Sequence, residues 1–151
     1  MSDLRDLYQE VILDHTKHPR NFGTLEQANC KADGFNPLCG DKLSLFLSVE
    51  DGVLKDVRFQ GSGCAISTAS ASMMTESIKG KTRAEAETLF GKFHQMLTGP
   101  QGVDLEDSDE LGKLVVFSGV KQFPVRVKCA TLAWHTLNAA LKHQAEPAST
   151  E

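Results

Sequence analysis

Leu43-Ser44-Leu45-Phe46-Leu47-Ser48-Val49-Glu50-Asp51-Gly52-Val53-Leu54-Lys55-Asp56-Val57-Arg58-Phe59 is the stretch whose reading decides the fold. Leu43, Leu45, Leu47 and Val49 alternate with mainly polar residues, the period of a strand with one face buried. Asp51-Gly52 is a two-residue hairpin turn signal, and Val53, Val57 and Phe59 carry the alternation back. Residues 43–60 therefore read as an antiparallel hairpin.

On the C-terminal side, Gly61-Ser62-Gly63 reads as a flexible turn, after which the period changes to that of a helix. Ile66, Ala69, Met73, Met74 and Ile78 predict a helix from Ala65 to Lys79, closed by Gly80. Its small residues, Ser67 to Ser72, allow a second element to pack close to its backbone. Thr82 and Glu85 form a capping box for the next helix, whose face is Ala86, Leu89, Phe90, Phe93 and Leu97, with Gly99-Pro100 as its stop. Residues 101–108 read as an acidic loop. Asp109 to Ser118 reads as a short helix carrying Leu111, Leu114 and Val115, with Val115-Val116-Phe117 open to a strand reading. Pro124 precedes a last helix with the face Ala130, Ala133, Trp134, Leu137 and Leu141.

On the N-terminal side, Ser2 is a cap candidate for a first helix with Leu4, Leu7, Tyr8, Val11 and His15 on one face. His18-Pro19-Arg20-Asn21-Phe22-Gly23 ends it, and residues 27–35 read as a first strand. The sum is one α+β domain over residues 1–144, a small three-stranded antiparallel sheet with helices packed around it. The small polar tail 145–151 is expected to be disordered.

Composition narrows the function classes. The chain has 151 residues, a formal net charge of −4 and ordinary hydrophobic content, which argues against a nucleic-acid binder with a basic face. There is no apolar run of membrane-spanning length and no signal-peptide pattern in residues 1–20, so a cytoplasmic protein is expected. Four cysteines, Cys30, Cys39, Cys64 and Cys129, are too sparse for a disulfide scaffold. Cys30 has no motif around it and reads as a buried structural cysteine. No P-loop, dinucleotide fingerprint or nucleophile elbow occurs.

The other three cysteines each have a frame. Cys39 and Asp41 flank Gly40, which lets the backbone fold sharply so that both side chains turn towards one ion. Cys64 enters a helix N-terminus, where free amides and the helix dipole favour a thiolate. Cys129 lies in the opening turn of the last helix, just after the cations Arg126 and Lys128. Three thiolates and one carboxylate make a tetrahedral set for zinc, or an anchor for an iron–sulfur cluster. A hard oxygen donor among thiolates leaves one exchangeable position. The set carries about two surplus negative charges against a divalent ion, and Arg126 and Lys128 are the natural offsets. Arg126 is the better suited, because a guanidinium can bridge Asp41 with paired hydrogen bonds. His15, His18, His94, His135 and His143 lack ligand spacing and read as surface or satisfied core residues.

The chain resembles the IscU/NifU-like iron–sulfur cluster assembly family, and within it the SufU type. The resemblance runs from Leu7 to Leu141. It is carried by Ile12-Leu13-Asp14-His15, His18-Pro19-Arg20-Asn21-Phe22-Gly23, Asn36-Pro37-Leu38-Cys39-Gly40-Asp41, Phe59-Gln60-Gly61-Ser62-Gly63-Cys64-Ala65-Ile66-Ser67 and Arg126-Val127-Lys128-Cys129-Ala130. It implies metal ligation by Cys39, Asp41, Cys64 and Cys129 at one exposed end of the fold. Lys128 stands where the scaffold type has a histidine, and residues 81–100 are a segment that type lacks. Both features resemble the SufU type, and imply a zinc-dependent sulfurtransferase that accepts persulfide sulfur from a SufS-type cysteine desulfurase. Cys39 would be the acceptor, Arg126 would steer the approach or hold Asp41, and a downstream scaffold or apo-acceptor protein would receive the sulfur. The alternative implied by the same family is a scaffold on which a [2Fe–2S] cluster is built and transferred.

Overall fold

The computed structural model describes residues 2–38, 40–98, 111–142 and 148–149; at residues 2–8, 122 and 148–149 it describes the backbone alone. The element order is α1 (Ser2–Lys17), β1 (Cys30–Asn36), β2 (Asp41–Glu50), β3 (Val53–Ser62), α2 (Ala65–Ile78), α3 (Arg83–Thr98), a 3-10 helix (Gly112–Gln122), α4 (Pro124–Leu141) and β4 (Ala148–Ser149). Antiparallel pairing joins β1 to β2 and β2 to β3. The three-stranded antiparallel sheet expected from sequence is therefore the frame of the molecule.

The hairpin forms about the predicted turn, with both Asp51 (φ 53°) and Gly52 (φ 76°) in the left-handed region that a two-residue turn matching the strand twist requires. Its strands run further than predicted, to Asp41 at one end and Ser62 at the other. Gly61-Ser62 is strand rather than flexible turn. A Cβ on Gly61 would come within 2.1 Å of the Lys42 carbonyl oxygen, so only glycine lets the two backbones pair there. A register shift between Ser48 and Val49 moves the inward position of the return strand. Leu54, Val57 and Phe59 are buried, and Val53, expected inside, is only half-buried.

Inward side chains of the sheet meet α2 and α4. Helix α4 is buried along most of its length, from Cys129 and Ala130 through Trp134 to Leu141. A helix apolar on nearly every side must lie inside the fold rather than on it. Ser70 ties α2 to α4: its hydroxyl donates to the Ala130 carbonyl and accepts from Trp134 Nε1 at 3.2 Å. Trp134 stacks on Phe93 of α3 with ring centroids 4.7 Å apart. The small residues of α2 permit these approaches, as their sequence suggests.

Helix α1 packs on α2 through polar contacts. His15 Nδ1 lies 2.7 Å from Ser72 Oγ, which also accepts from the Arg20 amide at 2.8 Å. The other ring nitrogen, Nε2, lies 3.6 Å from Glu76 Oε1. Burial, and then the Arg20 cation, hold the His15 pKa below its usual value, so the ring is neutral at pH 7. Ser2, expected as the cap of α1, lies inside the helix.

The capping box is formed in both directions: Thr82 N–H donates to Glu85 Oε1 at 3.0 Å, and Glu85 N–H to Thr82 Oγ1 at 3.1 Å. Thr82→Ala is expected to cost about 1 kcal/mol, read as a fall of roughly 2–4 °C in melting midpoint. A midpoint unmoved by the change would show that the box adds nothing to stability. The predicted stop, Gly99-Pro100, and the acidic loop 101–108 lie outside the described residues.

Three local expectations are corrected. The short helix expected over 109–118 is, from Gly112, a 3-10 helix that runs on to Gln122, and 115–117 is not a strand; 109–110 lie outside the described residues. Its tighter winding still buries Leu114, Val116 and Phe117. Pro124 does not precede α4 but begins it at a first-turn position, where its missing N–H costs nothing. Cys129 consequently lies in the second turn of the helix, not the opening one. Finally, Ala148 and Ser149 pair in parallel with Gly34 and Phe35, where a disordered tail is expected. The free edge of β1 offers backbone hydrogen-bond groups whatever the added side chains are. The rest of 145–151 lies outside the described residues.

Candidate metal centre

Asn36 ends β1 and Asp41 opens β2, directly opposite each other in the register. The turn between them is closed by Gly40 N–H donating to the Asn36 carbonyl at 2.8 Å, and Gly40 takes φ 71°. Glycine is required at that angle, as the sequence suggests. Cys39 itself lies outside the described residues.

Cys64 is the N-cap of α2. Its sulfur accepts from the Ser67 amide at 3.4 Å, so one of the free N–H groups at the helix end points at it. That matches the placement expected for a stabilised thiolate. Cys129 reaches the same region from α4 and is fully buried, as is Asp41. Ligand atoms of Asp41, Cys64 and Cys129 all lie within 4.8 Å of one another. Three residues separated by long stretches of chain thus converge where β2, α2 and α4 meet.

Asp41 is oriented. Its Oδ1 accepts from the Cys64 amide at 2.8 Å, and its Oδ2 accepts from Asn36 Nδ2 at 3.3 Å and lies 3.9 Å from Cys64 Sγ. A Cβ on Gly63 would fall 2.5 Å from Oδ1, so the carboxylate occupies the space that glycine leaves. Two sulfurs and one oxygen at this separation fit a tetrahedral ion with metal–ligand distances of about 2.0–2.3 Å. The donors present, soft thiolates with one carboxylate, suit zinc or iron better than magnesium or calcium.

The expected bridge between Arg126 and Asp41 is not formed. Asp41 is fully buried and pairs with Asn36 and Cys64, while Arg126 is exposed on the first turn of α4. A guanidinium reaching that carboxylate would itself have to leave water. Lys128 is half-buried, and among the described residues it makes no ion pair with Asp41. Cys30 is buried in the core, and burial pushes its thiol pKa up, as befits an inert structural cysteine. His94 and His135 lie edge-to-face 5.9 Å apart beside Phe90, remote in kind from a ligand pair; His143 lies outside the described residues. Asn36 was not singled out from the sequence. The available signal was its place before a proline at the start of a ligand-bearing turn, a common use of asparagine.

The chain belongs to the NifU-like N-terminal domain family, which it matches over residues 7–130. It is 43% identical to the zinc-dependent sulfurtransferase SufU of Bacillus subtilis, over 90% of this chain and 90% of that one. It is 41% identical to the iron–sulfur cluster assembly scaffold protein IscU of Streptococcus pyogenes, over 96% of this chain and 89% of the relative. Among solved structures, a protein of Fervidobacterium islandicum described as a cluster assembly scaffold for the SUF system superposes with a TM-score of 0.81. It is 39% identical, covering 87% of this chain and 94% of that one. The family and fold expected from the sequence motifs are those found.

Proposed function

We propose that this protein serves iron–sulfur cluster assembly as a zinc-dependent sulfurtransferase, with Cys39, Asp41, Cys64 and Cys129 as the metal ligands. The observation that carries the reading is the convergence of Asp41, Cys64 and Cys129 ligand atoms within 4.8 Å. The name of the Bacillus subtilis relative supports it. Zinc bound there would supply positive charge that keeps the thiols deprotonated, without redox chemistry of its own.

The acceptor is Cys39, the ligand on the turn closed by Gly40. Its thiolate attacks the outer sulfur of a cysteine persulfide on a SufS-type desulfurase. A sulfur–sulfur bond forms to Cys39 as the partner's bond breaks, and the partner leaves as a thiolate with the electron pair, so no oxidant is needed. Arg126 shares a helix stripe with Cys129, three residues on, and stands exposed where it attracts the anionic persulfide. A downstream scaffold or apo-acceptor then takes the sulfur. Reduced thiols of this kind fit a cytoplasmic setting. No helix among the described residues is long and apolar enough to cross a membrane.

The names of several relatives favour a second reading, in which a [2Fe–2S] cluster is built on the same side chains. Metal analysis of the protein as purified, with desulfurase turnover measured in its presence and absence, separates the two. Zinc content near one per chain, and a rise in turnover that Cys39→Ser abolishes, are expected. Iron and sulfide with visible charge-transfer bands that withstand added zinc would establish the scaffold instead. Turnover stimulation surviving Cys39→Ser would remove Cys39 from the acceptor role.

A further inference from the structure

Asn36 is fully buried at the end of β1, and its carboxamide contacts two of the three described candidate ligands. Its Nδ2 lies 3.3 Å from Asp41 Oδ2 and 3.6 Å from Cys129 Sγ, and its Oδ1 accepts from the Leu38 amide at 3.3 Å. One nitrogen with two hydrogens thus faces two acceptors that arrive from different elements. The carbonyl end fixes the turn that leads into Cys39. We propose that Asn36 is the positioning residue of the metal centre, setting the pose of the Asp41 carboxylate and the Cys129 thiolate through one amide group.

The chemistry of the two neighbours explains why the residue is asparagine. Ionised carboxylate and thiolate are acceptors only, so the group between them must donate twice from one atom. Aspartate at this position is the same size but offers acceptors to acceptors, adding repulsion in a buried site. Leucine or alanine leaves Asp41 Oδ2 without this donor. Threonine or serine brings one hydrogen for two partners.

Asp41's other oxygen shows what the contact accomplishes. Oδ1 is taken by the Cys64 amide, whereas Oδ2 lies beside the Cys64 sulfur. Oδ2 is therefore the oxygen with which Asp41 would hold a metal. A hydrogen bond from Asn36 to the same atom fixes its direction, as the bond to Cys129 does for the sulfur. Asn36 accordingly aims two ligands at one point, and its loss leaves both free to turn away.

The proposal rests on the metal-site reading, and the test separates the two. Zinc affinity is measured against a chromophoric chelator for wild type and Asn36→Ala, and cobalt(II) is loaded for its absorption spectrum. A folded Asn36→Ala protein is expected to bind zinc about 10–100-fold more weakly. Its thiolate-to-cobalt charge-transfer bands should shift, because the sulfur has lost an N–H donor. Far-UV circular dichroism of the metal-free variant should match wild type. Wild type that binds no zinc ends the metal reading itself. Wild type that binds, with an unchanged affinity and cobalt spectrum in folded Asn36→Ala, overturns the role given to Asn36. Should Asn36→Ala fail to fold, the wild-type side-chain amide decides by NMR: its resonances should shift on zinc loading and exchange slowly with water. An amide that neither shifts nor is protected overturns the proposal.

Discussion

Replacing Gly63 by alanine is expected to weaken zinc binding about 100-fold and to lower the melting midpoint of the metal-free protein only modestly, by the cost of about one broken hydrogen bond at Asp41. Gly63 is exposed and follows the end of β3, so a methyl group there disturbs no core packing. It would nevertheless stand 2.5 Å from Asp41 Oδ1, 3.0 Å from its Cγ and 3.1 Å from its Cβ. Asp41 is fully buried between Asn36 and the Cys64 amide and has nowhere to retreat without breaking one of those bonds. The methyl group therefore displaces a proposed ligand rather than a wall. Competition with a chelator reads the affinity, and a thermal scan of the metal-free protein reads the fold. Zinc affinity equal to wild type would show that Asp41 either moves freely or is not a ligand. A large drop in metal-free stability would show that the segment from Ser62 to Cys64 bears on the core after all.

How far the sequence could be read follows from where each signal resides. The hairpin was legible because Leu45 and Leu47 are fully inside and Asp51-Gly52 supplies two left-handed residues in succession. The capping box was legible because both of its hydrogen bonds are local in sequence. The three described candidate ligands were legible from their frames, with Asp41 at the start of β2, Cys64 at the cap of α2 and Cys129 just after a pair of cations in the second turn of α4. What stayed hidden is contact between elements. The shift at Ser48/Val49 that exchanges Val53 for Leu54 in the core leaves no mark on a pattern of alternating residues. The two-residue strand at Ala148 depends on an open edge of β1 rather than on its own residues. Asn36 looks like an ordinary turn residue until Cys129, ninety-odd positions away in the chain, is placed against it. Arg126 misled for the converse reason, since its proximity to Cys129 along the helix says nothing of Asp41's burial. The charge surplus that suggested its pairing is met at Asp41 by neutral N–H donors instead.

Trp134→Ala is expected to cost about 3–5 kcal/mol, the usual range for deleting a fully buried indole. For a domain of this size that corresponds to a fall of roughly 10 °C or more in melting midpoint. The ring is 0% exposed, stacks on Phe93 at 4.7 Å, and its Nε1 is the donor to Ser70 Oγ at 3.2 Å. Ser70 in turn holds the Ala130 carbonyl, so the indole braces the junction between α2 and α4. Those two helices carry Cys64 and Cys129, and a looser junction widens the distribution of distances between the sulfurs. Zinc should then rescue part of the loss, because a ligand that binds only the assembled site stabilises it by mass action. Trp134→Phe separates the two contributions of the residue. It keeps most of the stacked area but removes the N–H, and should cost about 1 kcal/mol more than its lost area predicts. Equal melting midpoints for Trp134→Phe and wild type would show that Ser70 needs no donor from the indole. A Trp134→Ala protein that melts like wild type would contradict the placement of Trp134 in the core, and with it the helix packing that brings the two cysteines together.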